Sequence, residues 1–338
     1  MHELYLEEPG HLTMKESAPT APLQDDEVRF KIIYGGICGS DIRVLQGTLP
    51  YARYPCCPGH EILGSVIEAD QSAPFATGDR VISYPNTFCG TCEFCLQGKT
   101  NICASKQTFG VTINGLFGEE VVVDAKYLVP VPADLSSERA ILTEPLAVNV
   151  HALKKVKIAK GMTVAVVGCG TEGLLSTALL HFLEADITVI DINPDKMEKA
   201  KSAYTTIKKL HPSEVNEQQF EVVIEAAGVK ESIEQAFSLV KPGGTLITLG
   251  ITDQEVKFPA LQVTRSEMTI FGSIIYTKED FEDAFRYLEN PQFDLSPVIS
   301  KILPFKEYEQ AFADASSGKY TKIILDFLDN RQEHRTSV

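Results

Sequence analysis

The residues whose types could do chemistry gather in a few short stretches. Cys38 lies in Gly35-Gly36-Ile37-Cys38-Gly39-Ser40-Asp41, and His60 and Glu61 follow in Gly59-His60-Glu61. A thiolate, an imidazole and a carboxylate are a donor set suited to zinc, which in catalytic sites keeps one position open for water or substrate. Taken singly, Cys38 reads as a buried, inert thiol and His60 as a hydrogen-bonded histidine. Their pairing, each beside glycine and followed by a carboxylate, favours a metal. Glu61 is either a direct ligand or the partner of one. A third protein ligand is still needed, and Glu144 is the candidate. It sits in Leu142-Thr143-Glu144-Pro145-Leu146, where an acid among apolar residues and before a rigid proline is hard to place on a solvated face.

Cys89-Gly90-Thr91-Cys92-Glu93-Phe94-Cys95, with Cys103 a short loop later, is the strongest local signal. Two C-x-x-C steps share a middle cysteine, and the fourth thiol can close a tetrahedral shell. Such a shell leaves no open position, so its zinc is structural. An iron–sulfur cluster and a reactive dithiol are the alternatives. Cys56 and Cys57 fall outside both groupings and read as unligated thiols.

Gly168-Cys169-Gly170-Thr171-Glu172-Gly173 follows an apolar strand pattern over residues 163–167 and precedes a helical one over 174–183. A lone G-x-G-x-x-G is weak evidence. Between a strand and a helix it is strong, because the glycines permit a tight turn and close approach of a pyrophosphate to the helix N-terminus. Asp191 lies about twenty residues further on, where a carboxylate accepts hydrogen bonds from the adenosine ribose and repels a 2′-phosphate. No arginine follows closely, although Lys196 is near, so NAD is expected rather than NADP. Cys169 reads as a passive small residue.

These stretches need elements to hold them. Residues 28–34 alternate as a strand that delivers Cys38 at its end, and 62–68 and 80–83 read as further strands. Short strands with frequent Gly and Pro suggest an irregular β-barrel-like domain. From about residue 150 the pattern changes to strands alternating with helices, the sign of a parallel α/β sheet. Its later strands are expected over 187–190, 221–226, 245–250 and 269–275. Phe281, Phe285 and Leu288 share one helical face, and Tyr308, Phe312 and Ala315 another. A closing strand over 322–327 is expected to complete the first domain, and the polar tail 330–338 to fray.

A chain of 338 residues is too long for one ordinary core and suggests two domains. The apolar fraction of 44% suits a soluble globular protein. A net charge of -15 argues against nucleic acid and for a small-molecule partner. No apolar run of about 20 residues suggests a membrane span, and the start Met1-His2-Glu3-Leu4-Tyr5 has no signal-peptide character. Cysteines clustered at metal-site spacing fit a reducing cytoplasm better than a secreted scaffold. Lys154-Lys155-Val156-Lys157 is a short solvated run.

Together, Gly36 to Asp41, Gly59-His60-Glu61, the four-cysteine stretch, Gly168 to Gly173 and Glu144-Pro145-Leu146 resemble the zinc-containing medium-chain dehydrogenase/reductase family over nearly the whole chain. Within it the polyol branch, the sorbitol dehydrogenase-like enzymes, is the closest match, because alcohol dehydrogenases usually carry cysteine where Glu144 stands. The resemblance implies an α/β plus β fold class: a GroES-like β-barrel catalytic domain over 1–149 and 277–338, and a Rossmann doubly wound parallel-sheet domain over 150–276. It implies one catalytic zinc on Cys38, His60 and Glu61 or Glu144, one structural zinc on Cys89, Cys92, Cys95 and Cys103, and a proton relay beginning at Ser40. NAD on the Gly168–Gly173 loop, and a homodimer or homotetramer paired through 269–275, complete the implied assembly. Arg43 stands where many relatives have histidine, and Asp70 where glycine is common. The expected reaction interconverts a secondary alcohol of a polyol, sugar alcohol or sugar acid and its ketone. Threonine or simple-alcohol oxidation is the alternative, and a non-catalytic NAD-binding sensor is the alternative of another class.

Overall fold

Two short strands, β1 (His2–Leu6) and β2 (Leu12–Glu16), open the chain as an antiparallel pair, an element with no marked signal in the sequence. The structure is a computed structural model and describes residues 1–16 and 21–328. The expectation for the tail 330–338 falls outside the described residues. The chain forms two units, Met1–Glu144 with Ile299–Val338, and Pro145–Val298.

In the first unit β3 (Glu27–Ile37) is the longest strand among the described residues, and buries Val28, Phe30 and Ile32 completely. It pairs antiparallel with β4 (Glu61–Ala69) in a register that sets Gly36 opposite Glu61. The end of β3 and the start of β4 are therefore neighbours, which brings Cys38 and His60 together. Between them runs α1 (Gly39–Leu45). Strand β5 (Arg80–Ser83) continues the sheet beside β4, and α2 (Glu93–Leu96) is a single turn inside the four-cysteine stretch. Strand β6 (Glu120–Asp124) pairs with the first half of β3, β7 (Leu128–Pro130) pairs with β5, and α3 (Ser137–Ala140) follows.

Helix α4 (Thr143–Leu153) carries Glu144 in its first turn and continues into the second unit. There the chain alternates: β8 (Thr163–Val167), α5 (Thr171–Phe182), β9 (Asp186–Ile190), α6 (Pro194–Ala203), β10 (Lys208–Leu210), β11 (Phe220–Glu225), α7 (Lys230–Leu239), β12 (Val240–Thr248), α8 (Ala260–Arg265), β13 (Thr269–Gly272) and α9 (Lys278–Glu289). Among the described residues the strands form one parallel six-stranded sheet in the order β10-β9-β8-β11-β12-β13. Its central strands β8 and β9 are buried beyond their first residues, as a sheet covered on both faces requires. Two halves run outward from β8, the doubly wound order of dinucleotide-binding sheets.

The chain then returns to the first unit. Strand β14 (Ile299–Pro304) pairs in parallel with β15 (Lys322–Asp326), α10 (Tyr308–Ser316) lies between them in sequence, and β15 pairs with the end of β3, Ile323 opposite Ile37. The observed fold is thus the expected one, with a parallel α/β domain and a separate mixed β sheet of GroES-like type. Its boundaries differ from those read in the sequence, since the changeovers fall at 144/145 and 298/299. Residues 277–298 lie in the second unit because α9 is tied there. Its Asp280 bonds His151, and Tyr287 packs edge-on against Phe182. No helix among the described residues is long and apolar enough to cross a membrane.

Candidate active site

Asp41 organises the first group. From the first turn of α1 its carboxylate accepts the backbone N–H of Cys38 at 2.9 Å and of Gly59 at 3.2 Å, stapling together the two loops that carry Cys38 and His60. Ser83 on β5 adds a hydroxyl bond of 2.9 Å to the His60 carbonyl. The donor atoms of Cys38, His60 and Glu61 consequently lie within 4.8 Å of one another. His60 Nδ1 is buried without a hydrogen bond, although Asp41 Oδ1 is 3.4 Å away. Burial opposes a charged His60, but the Asp41 carboxylate and the Cys38 sulfur outweigh it and raise its pKa well above the ordinary value. The pocket favours positive charge, and its soft and hard donors fit zinc. Ser40 Oγ stands 3.5 Å from His60 Nε2.

Glu61 has a partner that sequence reasoning missed. Lys322, at the start of β15, is 1% exposed and places Nζ 2.5 and 2.6 Å from the two Glu61 oxygens. Lysine is almost never fully buried unless paired. A lysine heading the apolar run Lys-Ile-Ile-Leu was the available signal, but nothing in the sequence named its partner. Gly36 makes room for the pair: a Cβ there would sit 2.1 Å from Glu61 Oε2.

Glu144 is buried at the start of α4, 6% exposed, and is not part of the Cys38, His60 and Glu61 group. Arg43, in the last turn of α1, donates to the Thr48 carbonyl at 3.1 Å.

The second group is Cys89, Cys92, Cys95 and Cys103, whose sulfurs all lie within 4.8 Å of one another. Individual separations are 3.6 Å for Cys103 to Cys89, 3.9 Å for Cys89 to Cys95 and 4.0 Å for Cys92 to Cys103. A disulfide needs about 2.05 Å, whereas four sulfurs about 2.3 Å from a tetrahedral centre stand about 3.8 Å apart. The spacing is that of a zinc shell. Backbone N–H groups of Thr91 and Cys92 point at the Cys89 sulfur and hold its pKa down to about 5, while desolvation pushes the Cys95 thiol up to about 12.

In the second unit the glycine loop joins β8 to α5. A Cβ on Gly173 would lie 1.8 Å from the Gly168 carbonyl, so the turn closes only with glycine there, while nothing stands within 4 Å of a Cβ on Gly170. That open face beside the α5 N-terminus, which begins at Thr171, fits a pyrophosphate. Glu172 faces elsewhere: its carboxylate accepts Asn149 Nδ2 at 2.7 Å, and Asn149 in turn accepts the Ser176 hydroxyl at 2.5 Å. Glu172 anchors the loop to α4 and is not aimed at a phosphate. Asp191 follows β9 and accepts the backbone N–H of Cys169 and of Asn193 at 2.5 and 2.7 Å, which locks it beside the loop.

Comparison with known proteins follows the same division. The family model of the alcohol dehydrogenase GroES-like domain matches residues 24–133, and that of the zinc-binding dehydrogenases matches residues 173–290. D-arabinitol dehydrogenase 1 of Uromyces fabae is 30% identical over 342 residues, covering 96% of this chain and 97% of its own. Galactitol-1-phosphate dehydrogenase of Escherichia coli has 28% identity and a TM-score of 0.89, covering 96% of this chain and 100% of its own. A zinc-binding dehydrogenase of Sinorhizobium meliloti, solved with NADP, has 27% identity and a TM-score of 0.88, covering 96% and 98%. With two metal-type donor sets and a glycine loop on this fold, the chain belongs to the zinc-containing medium-chain dehydrogenase family.

Proposed function

We propose that this protein is an NAD-dependent zinc dehydrogenase that interconverts a secondary alcohol of a polyol, sugar alcohol or sugar acid and the corresponding ketone. The observation that carries the reading is the donor set of half-buried Cys38 with buried His60 and Glu61, and the Ser40 hydroxyl beside it. The sugar-alcohol names of relatives such as D-arabinitol dehydrogenase 1 and galactitol-1-phosphate dehydrogenase support the substrate class. In this reading Cys38, His60 and Glu61 hold the catalytic zinc, Glu144 joins them or a substrate oxygen, and Cys89, Cys92, Cys95 and Cys103 hold the structural one. Zinc supplies Lewis acidity that makes an alcohol easier to deprotonate, and the nicotinamide supplies the hydride acceptor. Ser40, half-buried, would accept the alcohol proton as it releases its own hydroxyl proton to solvent. Gly168, Gly170, Thr171 and Gly173 form the cradle for the pyrophosphate, and Asp191 binds the adenosine ribose and disfavours NADP.

Eight thiols without a disulfide support a reducing, cytoplasmic setting. The edge strand β13, with Ile270 37% exposed, supports pairing with a second copy as a homodimer or homotetramer.

Zinc content per subunit, measured with NAD reduction across polyols, sugar acids, threonine and simple alcohols, tests the reading. Two zinc ions and turnover of a polyol or sugar acid are expected. One zinc and no turnover would move the protein to the sensor reading, and turnover of threonine or simple alcohols alone would replace the substrate class. Glu144→Ala is expected to lose turnover far more than NAD affinity, and equal loss of both would remove Glu144 from the metal site.

A further inference from the structure

Among the described residues three buried polar side-chain atoms lack a hydrogen-bond partner: His60 Nδ1, Glu225 Oε2 and Ser273 Oγ. The first belongs to the metal group. The other two stand at the same edge of the six-stranded sheet, Glu225 ending β11 and Ser273 following β13, the strands that flank β12. Ligands of open α/β sheets bind outside this carboxyl edge, at the point where the strand order reverses. That point is β8, which delivers the glycine loop. Asp191, beyond β9, takes the adenosine side, so the nicotinamide half falls over β11 and β12. This placement rests on the dinucleotide reading proposed above.

Glu225 is wholly buried, and its hydrogen-bond partners are neutral. Oε1 accepts the N–H of Ala227 and of Gly228, each at 2.9 Å, and stands 2.6 Å from the Ser232 hydroxyl, whose one proton it shares with the Val229 carbonyl at 2.7 Å. Its backbone carbonyl accepts the N–H of Leu249 at 2.8 Å and of Gly250 at 3.0 Å, in the turn after β12. One residue thus holds both turns. They meet backbone to backbone: a Cβ on Gly250 would lie 2.2 Å from Gly228 N and 2.5 Å from Glu225 Oε2. The glycine loop joins the same packing, since a Cβ on Gly168 would lie 2.9 Å from Ala227 N.

We propose that Glu225 is a positioning residue for the nicotinamide half of the dinucleotide, its side chain fixing the turn after β11, which its backbone carbonyl and the Gly228–Gly250 contact hold against the turn after β12, and so setting the surface they offer the ring. An acceptor is required because two backbone N–H groups and a hydroxyl converge on one oxygen. Removing it strands buried donors, which then recover partners only by reshaping the turn.

The test compares NADH with ADP-ribose, which keeps the pyrophosphate and both riboses but lacks the nicotinamide ring, by calorimetric titration of the intact protein. Glu225→Ala is expected to weaken NADH by at least about tenfold more than it weakens ADP-ribose, whose own affinity falls to a lesser extent because the reshaped turn packs on the glycine loop. Glu225→Gln keeps an amide oxygen for the same donors and is expected to hold the ratio of the two affinities within about threefold of wild type. Ser232→Ala, a milder change at the start of α7, is expected to shift the ratio in the same direction by about two- to fourfold, and serves if Glu225→Ala does not fold. Equal losses for both ligands, an unchanged ratio in the alanine variants, or a Glu225→Gln loss as large as that of Glu225→Ala overturns the proposal. Wild-type protein that binds neither ligand overturns the dinucleotide reading itself, a result distinct from an unmoved ratio.

Discussion

Replacing Lys322 with methionine isolates one charge of a buried pair in the first unit. The ammonium lies 2.5 and 2.6 Å from the Glu61 oxygens, with both side chains closed to water. At an effective dielectric constant of about 20, unit charges about 3 Å apart attract by roughly 5 kcal/mol. Breaking a buried pair from one side typically costs roughly 3–5 kcal/mol, because the remaining charge is stranded. Lys322→Met should therefore destabilise the zinc-stripped protein by about that amount in urea unfolding followed by circular dichroism. Lys322→Arg, which keeps the charge, should lose much less. A divalent cation held by Cys38, His60 and Glu61, as proposed above, would offset the missing ammonium. Zinc should then restore part of the stability, and chelator competition should report at least about tenfold tighter binding at this site, ~1.4 kcal/mol. The reasoning is refuted if Lys322→Met matches wild type within about 0.5 kcal/mol, or if it binds zinc more weakly.

Asp280 offers a pH test. Burial opposes its charge, yet bonds from His151, Lys154 and Thr277 hold its carboxyl well below the usual carboxylate range. A depressed folded pKa means its contribution is complete above the unfolded value of about 3.9 and fades as pH falls below it. Wild-type stability in urea should begin to drop below about pH 5 and go on falling well below pH 3, and Asp280→Asn should be less stable at pH 7 with a flatter acid dependence. Cys103→Ser should cost one zinc per subunit by elemental analysis, with turnover per remaining zinc held within about threefold. Asp191→Ala should raise the NAD KM by about tenfold or more and shift preference towards NADP, as steady-state assays with both cofactors would reveal.

Several features were legible because they are local. The cysteine steps from Cys89 to Cys103 span few residues, so their spacing alone implies a shared metal. Gly168 to Gly173 sits between a strand pattern and a helix pattern, and Asp191 follows at the distance one helix and one strand impose. Other features carried no such signature. The β1 and β2 pair, the short β10 and the parallel partner β14 are brief segments whose pairing is settled by what lies beside them. Glu172 reads as part of a phosphate loop, and only its bond to Asn149 reveals an anchor. Helix α9 has a plain amphipathic pattern, but which core it covers is decided by His151, Lys154 and Phe182.

The sequence by itself determined the donor types and the glycine loop between strand and helix, since each depends on residue types at short, rigid spacings. Tertiary structure decided which acids meet which partners. Glu61 and Lys322 stand 261 positions apart and meet only because β15 closes the sheet against β3. Glu225 clamps two turns that are adjacent only once β11 and β12 have paired. Long-range pairing of charged and polar groups is driven by the exclusion of water from a finished core, and no periodicity along the chain records it.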